Sequence, residues 1–285
     1  MCRLLGLVAG PSEISPAGLP SFPTLPSWQH CVGAPHALRH QAELGKVPPD
    51  NPPGHADSWG VGWFDTAGQI SLLRQVGSAQ GSAYFVFASE AASKSACVFL
   101  GHLRKASCGA ITSDNAHPVR VDPLEGQSGD SLLVIHNGTL KGGLLGWLRT
   151  EGEQAGRPEA LSDSDTVVLA GWLAAEIGGV SAEKRQAALA EALRRLLAQA
   201  ELEGDPTRSY TGINLLIAAP EGLYALRQFS KNAEYYTLFA RPLVRGGWVL
   251  ASEQTDTEPG WELLSPGELV FYGASHGTVE KEKLV

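Results

Sequence analysis

The 285-residue sequence predicts an α+β fold, with β-sheet layers covered by helices. Short apolar runs of strand length recur along it, bounded by Gly, Asn or Pro, as buried strands require. Two longer segments read as helices, the second with a clear apolar face. No internal repeat or shift of composition divides the chain, so residues 2–285 read as one domain after removal of Met1.

A first strand is expected around Leu4 to Ala9, followed by a loop from Pro11 to Pro26, where Pro, Ser and Gly crowd together. A second punctuated stretch, Lys46 to Gly54, holds Pro48, Pro49, Pro52 and Pro53 and leads into Gly60-Val61-Gly62-Trp63-Phe64. Strands then read at Ile70 to Leu73, Cys97 to Leu103 and Leu132 to Ile135. Gly142 to Glu159 reads as a loop with a short helix around Leu144 to Leu148. The two long helices follow, at about Asp165 to Ile177 and about Ala182 to Leu202. In the second, Leu189, Leu193, Leu196, Leu197 and Ala200 fall on one face. The remaining strands are expected at Ile213 to Ala218, Leu223 to Leu226, Tyr235 to Phe239, Trp248 to Ala251 and Leu269 to Tyr272.

Composition excludes several classes of function. A net charge of −8 argues against nucleic-acid or anionic-membrane partners, which need a basic face. No apolar run approaches the roughly 20 residues of a membrane span, and the apolar start, Met1 to Gly10, is too short for a signal peptide. A cytoplasmic protein is expected. Four cysteines, at 2, 31, 97 and 108, lack CxxC spacing, so neither a disulfide framework nor a zinc knuckle is indicated. His55, His102, His117 and His136 show neither HxxxH nor HExxH spacing, and Gly60-Val61-Gly62 has no third glycine at Asp65. No metal or cofactor is expected.

Several residues could carry chemistry. Cys2 becomes the first residue if Met1 is removed. Its thiol is then a strong nucleophile beside an α-amine that titrates at about 7.7–8.0, close enough to neutrality to act as base. Arg104 ends an apolar run and could clamp a carboxylate or form a surface ion pair. His117 sits in the turn signature Asn115-Ala116-His117-Pro118. Asn137-Gly138, after the run from Leu132, is either a hairpin turn or an oxyanion hole built from the Asn amide and the Gly N–H. Ser162 and Asp165 have capping-box spacing, although a carboxylate at a helix start could equally receive a substrate ammonium group.

Taken in order, these signals are more specific than any one alone. Met-Cys-Arg-Leu-Leu-Gly at the start, Asp57-Ser58-Trp59-Gly60-Val61-Gly62-Trp63, His102-Leu103-Arg104, Asn115-Ala116-His117-Pro118, His136-Asn137-Gly138 and Ser164-Asp165-Thr166 resemble the glutaminase domain of class II glutamine amidotransferases. The stand-alone members, among them the ergothioneine-pathway γ-glutamyl hydrolase and the glutathione-degrading amidotransferase subunit, are the more similar. The resemblance implies a four-layer αββα sandwich of the N-terminal nucleophile hydrolase type and hydrolysis of a γ-glutamyl amide through a cysteine thioester. It implies Cys2 as nucleophile, Asn137 and Gly138 as the oxyanion hole, Arg104 holding the substrate α-carboxylate and Asp165 its α-ammonium. Ser107 and His117 would line the same pocket. The chain departs from the large synthases at Lys105 and Cys108, where they carry Trp and His, and at Gly54, where they carry Arg.

Three functions compete: hydrolysis of a small γ-glutamyl compound, ammonia supply to a separate synthase or acceptor subunit, and a non-catalytic glutamyl sensor. A sensor needs the clamp but not the thiol, so Cys2 speaks against it.

Overall fold

A computed structural model describes residues 2–10, 25–48, 51–274 and 277–285. Met1, whose removal is expected, lies outside these residues, as do Pro49 and most of the expected Pro11–Pro26 loop.

Among the described residues the chain forms β1 (Arg3–Ala9), α1 (Leu38–Leu44), β2 (Ser58–Asp65), β3 (Ile70–Val76), α2 (Ala83–Ser95), β4 (Ala96–Arg104) and β5 (Val119–Val121). Then come β6 (Leu132–Leu140), α3 (Gly142–Gln154), α4 (Asp165–Ile177), α5 (Ala182–Glu201), the short α6 (Pro206–Ser209), β7 (Tyr210–Ala219) and β8 (Gly222–Leu226). The chain closes with β9 (Phe239–Pro242), β10 (Gly247–Ala251), β11 (Glu262–Leu263), β12 (Glu268–Gly273) and β13 (Val279–Lys283). One antiparallel sheet has the order β11-β9-β10-β1-β4-β2-β3, the other β13-β12-β8-β7-β6-β5.

The sheets stack face to face, and the side-chain period of two sorts each strand between layers. In β6, Leu133 and Ile135 join the core between the sheets, whereas Leu132 and Val134 join the core under α3, α4 and α5. Strand β7 divides the same way, with Leu216 and Ala218 facing in and Leu215 and Ile217 facing the helices. Burial on both faces explains why these strands read as continuous apolar runs. On the far side, α1 and α2 cover the first sheet, with Phe85 edge-on to Trp59 at 5.2 Å. This is the αββα sandwich.

The expected α4 and α5 form almost residue for residue. Elsewhere the structure corrects the reading. Strand β6 runs straight through Asn137 and Gly138, so no hairpin turn forms there. Gly142–Gln154 is a 13-residue helix, not a loop: its glycines mask a buried stripe of Leu144, Leu148 and Gly152. Tyr235 and Tyr236 lie in a turn that starts at Asn232, whose φ is 56°, and the strand begins only at Phe239. The capping box is not made either; Ser162 Oγ accepts from Ser164 N at 3.1 Å, and the N-cap of α4 is Ser164. Helices α1 and α2 have no counterpart in the sequence reading. Among the described residues no helix is long and apolar enough to cross a membrane, and no cluster of three or more side chains could hold a metal.

Candidate active site

Cys2 precedes β1, the strand held between β10 and β4. Alternation places Cys2, Leu4 and Gly6 on the face that looks toward the second sheet, and Arg3 on the other face. Arg3 is buried there and fixes the backbone under the thiol. Its Nη1 donates to Cys2 O at 3.2 Å, while its Nε pairs with the Glu253 carboxylate at 2.9 Å. Ser252 Oγ accepts from Leu4 N at 2.9 Å. The strand end carrying Cys2 is therefore tied down on both sides.

Asn137 faces it from the second sheet. By the same alternation it shares the inner face of β6 with Leu133 and Ile135. Its Oδ1 accepts from Cys2 N at 2.9 Å, which orients the amide, and its Nδ2 is then buried without a protein partner. A buried donor with nothing to donate to is costly and uncommon. Gly138 follows where β6 presses on its neighbour: a Cβ there would lie 1.8 Å from Gly212 O, so no larger residue fits. The ladder to β7 is irregular between Gly138 and Leu140.

The remaining expected residues gather round the same small cavity. Cys2, Arg104, Ser107, His117, Gly138 and Asp165 all line it, and Asn137 reaches it through Cys2 N. Its free volume of about 10 Å³ holds roughly one water and no substrate. A loop after β4 fills the rest. Arg104 is buried, donating to Cys108 O at 2.7 Å and Ala110 O at 2.9 Å, which rules out the surface ion pair. Asp165 accepts from Leu140 N at 2.8 Å, from Thr166 N at 2.9 Å and from the Cys108 thiol at 3.1 Å. Ser107 Oγ shares a hydrogen bond of 2.7 Å with Thr139 Oγ1.

Sequence reasoning missed the residues that shape this loop. Asp57 accepts from Ala106 N at 2.8 Å. Asp163 accepts from Ala110 N and Asn115 Nδ2, both at 2.8 Å. Asn115 sat inside a quoted motif and Asp163 directly before another, but only the fold reveals that they meet.

Three histidines pack together at the cavity, His117 and His136 lining it and His102 behind them. His117 Nδ1 lies 3.0 Å from His102 Nε2, which is also 3.4 Å from His136 O. His136 contacts Thr166 Oγ1 at 3.0 Å and Gly212 O at 3.1 Å. Burial pushes all three below the ordinary histidine range, so they are neutral near pH 7. Burial acts the opposite way on thiols: it raises Cys31 to about 12 and Cys97 to about 11, and with the Asp165 carboxylate it raises Cys108 to about 11. These three stay protonated and unreactive at neutral pH.

A family profile described as glutamine amidotransferases class-II matches residues 50–283. The chain belongs to the class II glutamine amidotransferases. Among solved structures, the B. subtilis glutamine phosphoribosylpyrophosphate amidotransferase, complexed with ADP and GMP, has a TM-score of 0.62 at 16% identity. An allosteric regulatory enzyme of purine biosynthesis has a TM-score of 0.64 at 18% identity. Both matches cover 100% of this chain but 49% of the other, so the chain spans about half the length of those enzymes. A class-II domain protein from Silicibacter pomeroyi matches over 100% of both chains, with a TM-score of 0.54 and 18% identity. No curated protein matches by sequence search. At these identities the structural likeness concerns the fold, that of the N-terminal nucleophile hydrolases. The matched span of this amidotransferase begins after Cys2, so the case for that thiol rests on its geometry.

Proposed function

We propose that the chain hydrolyses the amide of glutamine or of another small γ-glutamyl compound through a thioester on Cys2. The observation that carries this reading is the pairing of Cys2 N with Asn137 Oδ1, which leaves Asn137 Nδ2 buried, oriented and without a protein partner. In the sequence of steps, the α-amine freed by loss of Met1 takes the thiol proton and Sγ attacks the γ-carbonyl carbon. The oxygen that becomes negative receives hydrogen bonds from Asn137 Nδ2 and Gly138 N–H. The amine then passes its proton to the leaving nitrogen, the C–N bond breaks and the thioester remains. Water attacks that thioester, with the amine now accepting the water's proton and returning it to sulfur as glutamate leaves.

Arg104 receives the substrate α-carboxylate and Asp165 the α-ammonium, with Ser107 and His117 beside them. Both charged groups now bond to protein atoms, Arg104 to loop carbonyls and Asp165 in part to the Cys108 thiol. Substrate entry exchanges those contacts, each with one charged partner, for ion pairs in which both partners are charged. The test is a turnover screen of glutamine and γ-glutamyl compounds on the purified chain, reading glutamate release, with Cys2→Ala as control. Release by the isolated chain that Cys2→Ala abolishes is the expected result. A chain inert until a second subunit is added would favour ammonia supply to a separate synthase.

A further inference from the structure

The histidine cluster at the cavity has more order than burial alone requires. A neutral imidazole carries one N–H and one lone pair, and its partners decide which nitrogen holds the proton. His136 is simple: Gly212 O can only accept, so Nε2 is the donor and Nδ1 accepts from the Thr166 hydroxyl. His102 can be settled in the same way. Its Nε2 faces the His136 carbonyl and His117 Nδ1, while its Nδ1 is buried without a partner. A proton on Nδ1 would bury an unpaired N–H and turn the Nε2 lone pair toward a carbonyl oxygen. A proton on Nε2 avoids both costs. His117 Nδ1 must then accept, and the His117 proton sits on Nε2.

That nitrogen matters because His117 lines the cavity beside Arg104, and the ring's protein hydrogen bond, to His102, uses Nδ1. We propose that His102 is a positioning residue that locks His117 as an Nε2–H donor to the α-carboxylate of the glutamyl group, next to Arg104. The carboxylate end of the cavity then presents donors alone. A carboxylate, with acceptors only, satisfies them; a carboxamide brings two N–H groups against them. With a leucine at 102, nothing donates to His117 Nδ1. The proton is then free to move there, leaving a bare lone pair to face the carboxylate. The identity of the ligand rests on the γ-glutamyl reading above; the tautomer does not.

The first measurement is long-range ¹H–¹⁵N correlation on the full chain with ¹⁵N-labelled histidine at neutral pH. Both His102 and His117 should show the Nε2-protonated pattern, and the His117 Nε2 proton should shift downfield when L-glutamate is added. A His117 proton on Nδ1 overturns the proposal whatever the enzyme turns over. The second measurement compares kcat/KM for substrates with a free α-carboxylate and with an α-carboxamide. His102→Gln, which keeps an N–H near the same place, should hold the discrimination within about threefold of wild type. His102→Leu should narrow it about tenfold, the scale of one lost hydrogen bond, mostly through KM for the carboxylate substrate. Equal losses in both variants with the ratio unchanged would reduce His102 to packing and sink the idea. If no γ-glutamyl compound turns over, the functional reading fails while the tautomer and glutamate titration still decide this one.

Discussion

Replacing Asn137 separates catalysis from folding, because its two side-chain atoms have different tasks. Oδ1 holds Cys2 N at 2.9 Å, and Nδ2 is buried with no protein partner. Asn137→Ala removes both, whereas Asn137→Asp keeps an acceptor for Cys2 and exchanges the donor for a second oxygen. Loss of one oxyanion donor costs about 10²–10³ in kcat, or ~2.7–4 kcal/mol. The aspartate should cost more than the alanine, since it sets a negative oxygen where negative charge must develop. Stability should move far less. Wild type already buries one unpaired donor, and Asn137→Ala removes it while stranding another at Cys2 N. Each is worth about 1–3 kcal/mol, and the two oppose each other. At roughly 2–4 °C per kcal/mol for a chain of this size, a net change of at most about 2 kcal/mol should keep the midpoint of thermal unfolding within about 8 °C of wild type. The assay is glutamate release at saturating substrate, with thermal unfolding followed on the same preparations. A kcat for Asn137→Asp within about tenfold of wild type would refute the assigned geometry, as would a loss in Asn137→Ala that merely follows the unfolded fraction.

Further outcomes follow from the same features. Active protein should lack Met1 by intact mass; full activity with Met1 retained is incompatible with an α-amine base. A diazo-ketone analogue of glutamine should label Cys2 alone at pH 8, because Cys31, Cys97 and Cys108 are held at about 12, 11 and 11; peptide mapping that finds label on any of these instead of Cys2 would contradict it. Substrates with a blocked α-carboxylate or α-amine should lose at least about 10²-fold in kcat/KM, and Arg104→Lys should be harmful because an ammonium lacks the bidentate fork. Stability should also depend on acid. Burial lowers His30 to about 4, and burial with the neighbouring Arg3 cation lowers His55 to about 3. Both pKa values are depressed on folding, so the stabilisation is complete above about 6.5 and is lost as pH falls toward them. An unfolding midpoint that stays level from pH 7 to 4.5 would show that these rings are not buried as neutral groups.

Much of the candidate site was legible because its residues belong to short, ordered motifs. Cys2, Arg104, Ser107, His117, Gly138 and Asp165 do line one cavity, and Asn137 reaches it. What could not be read were pairings between motifs. Asn115 with Asp163, and His102 with His117, are contacts set by the sheet and loop, and nothing in local spacing announces them. The fold class was legible from recurring apolar runs of strand length, α4 from its long apolar segment and α5 from its apolar stripe. Helix α2 escaped because its buried face, apart from Phe85, is built from Ala88, Ser89 and Ala92, which carry little periodic signal. Of the two readings of Asn137-Gly138, the hairpin is not made, because pairing with β7 and the close passage at Gly212 keep the strand extended against local propensity.

Gly6, in β1, lies four residues after Cys2, where the two sheets approach closely. A methyl group there would stand 2.7 Å from Leu223 Cδ2 and 3.0 Å from Leu216 Cδ1, both on the opposite sheet. Since Cys2 and Asn137 also belong to opposite sheets, the thickness of the slab acts as a caliper for the distance between thiol and amide. A side chain added at Gly6 would press first on those two leucine ends and, through them, on the facing sheet. Efforts to harden this protein by enlarging its core would therefore have to leave that gap untouched.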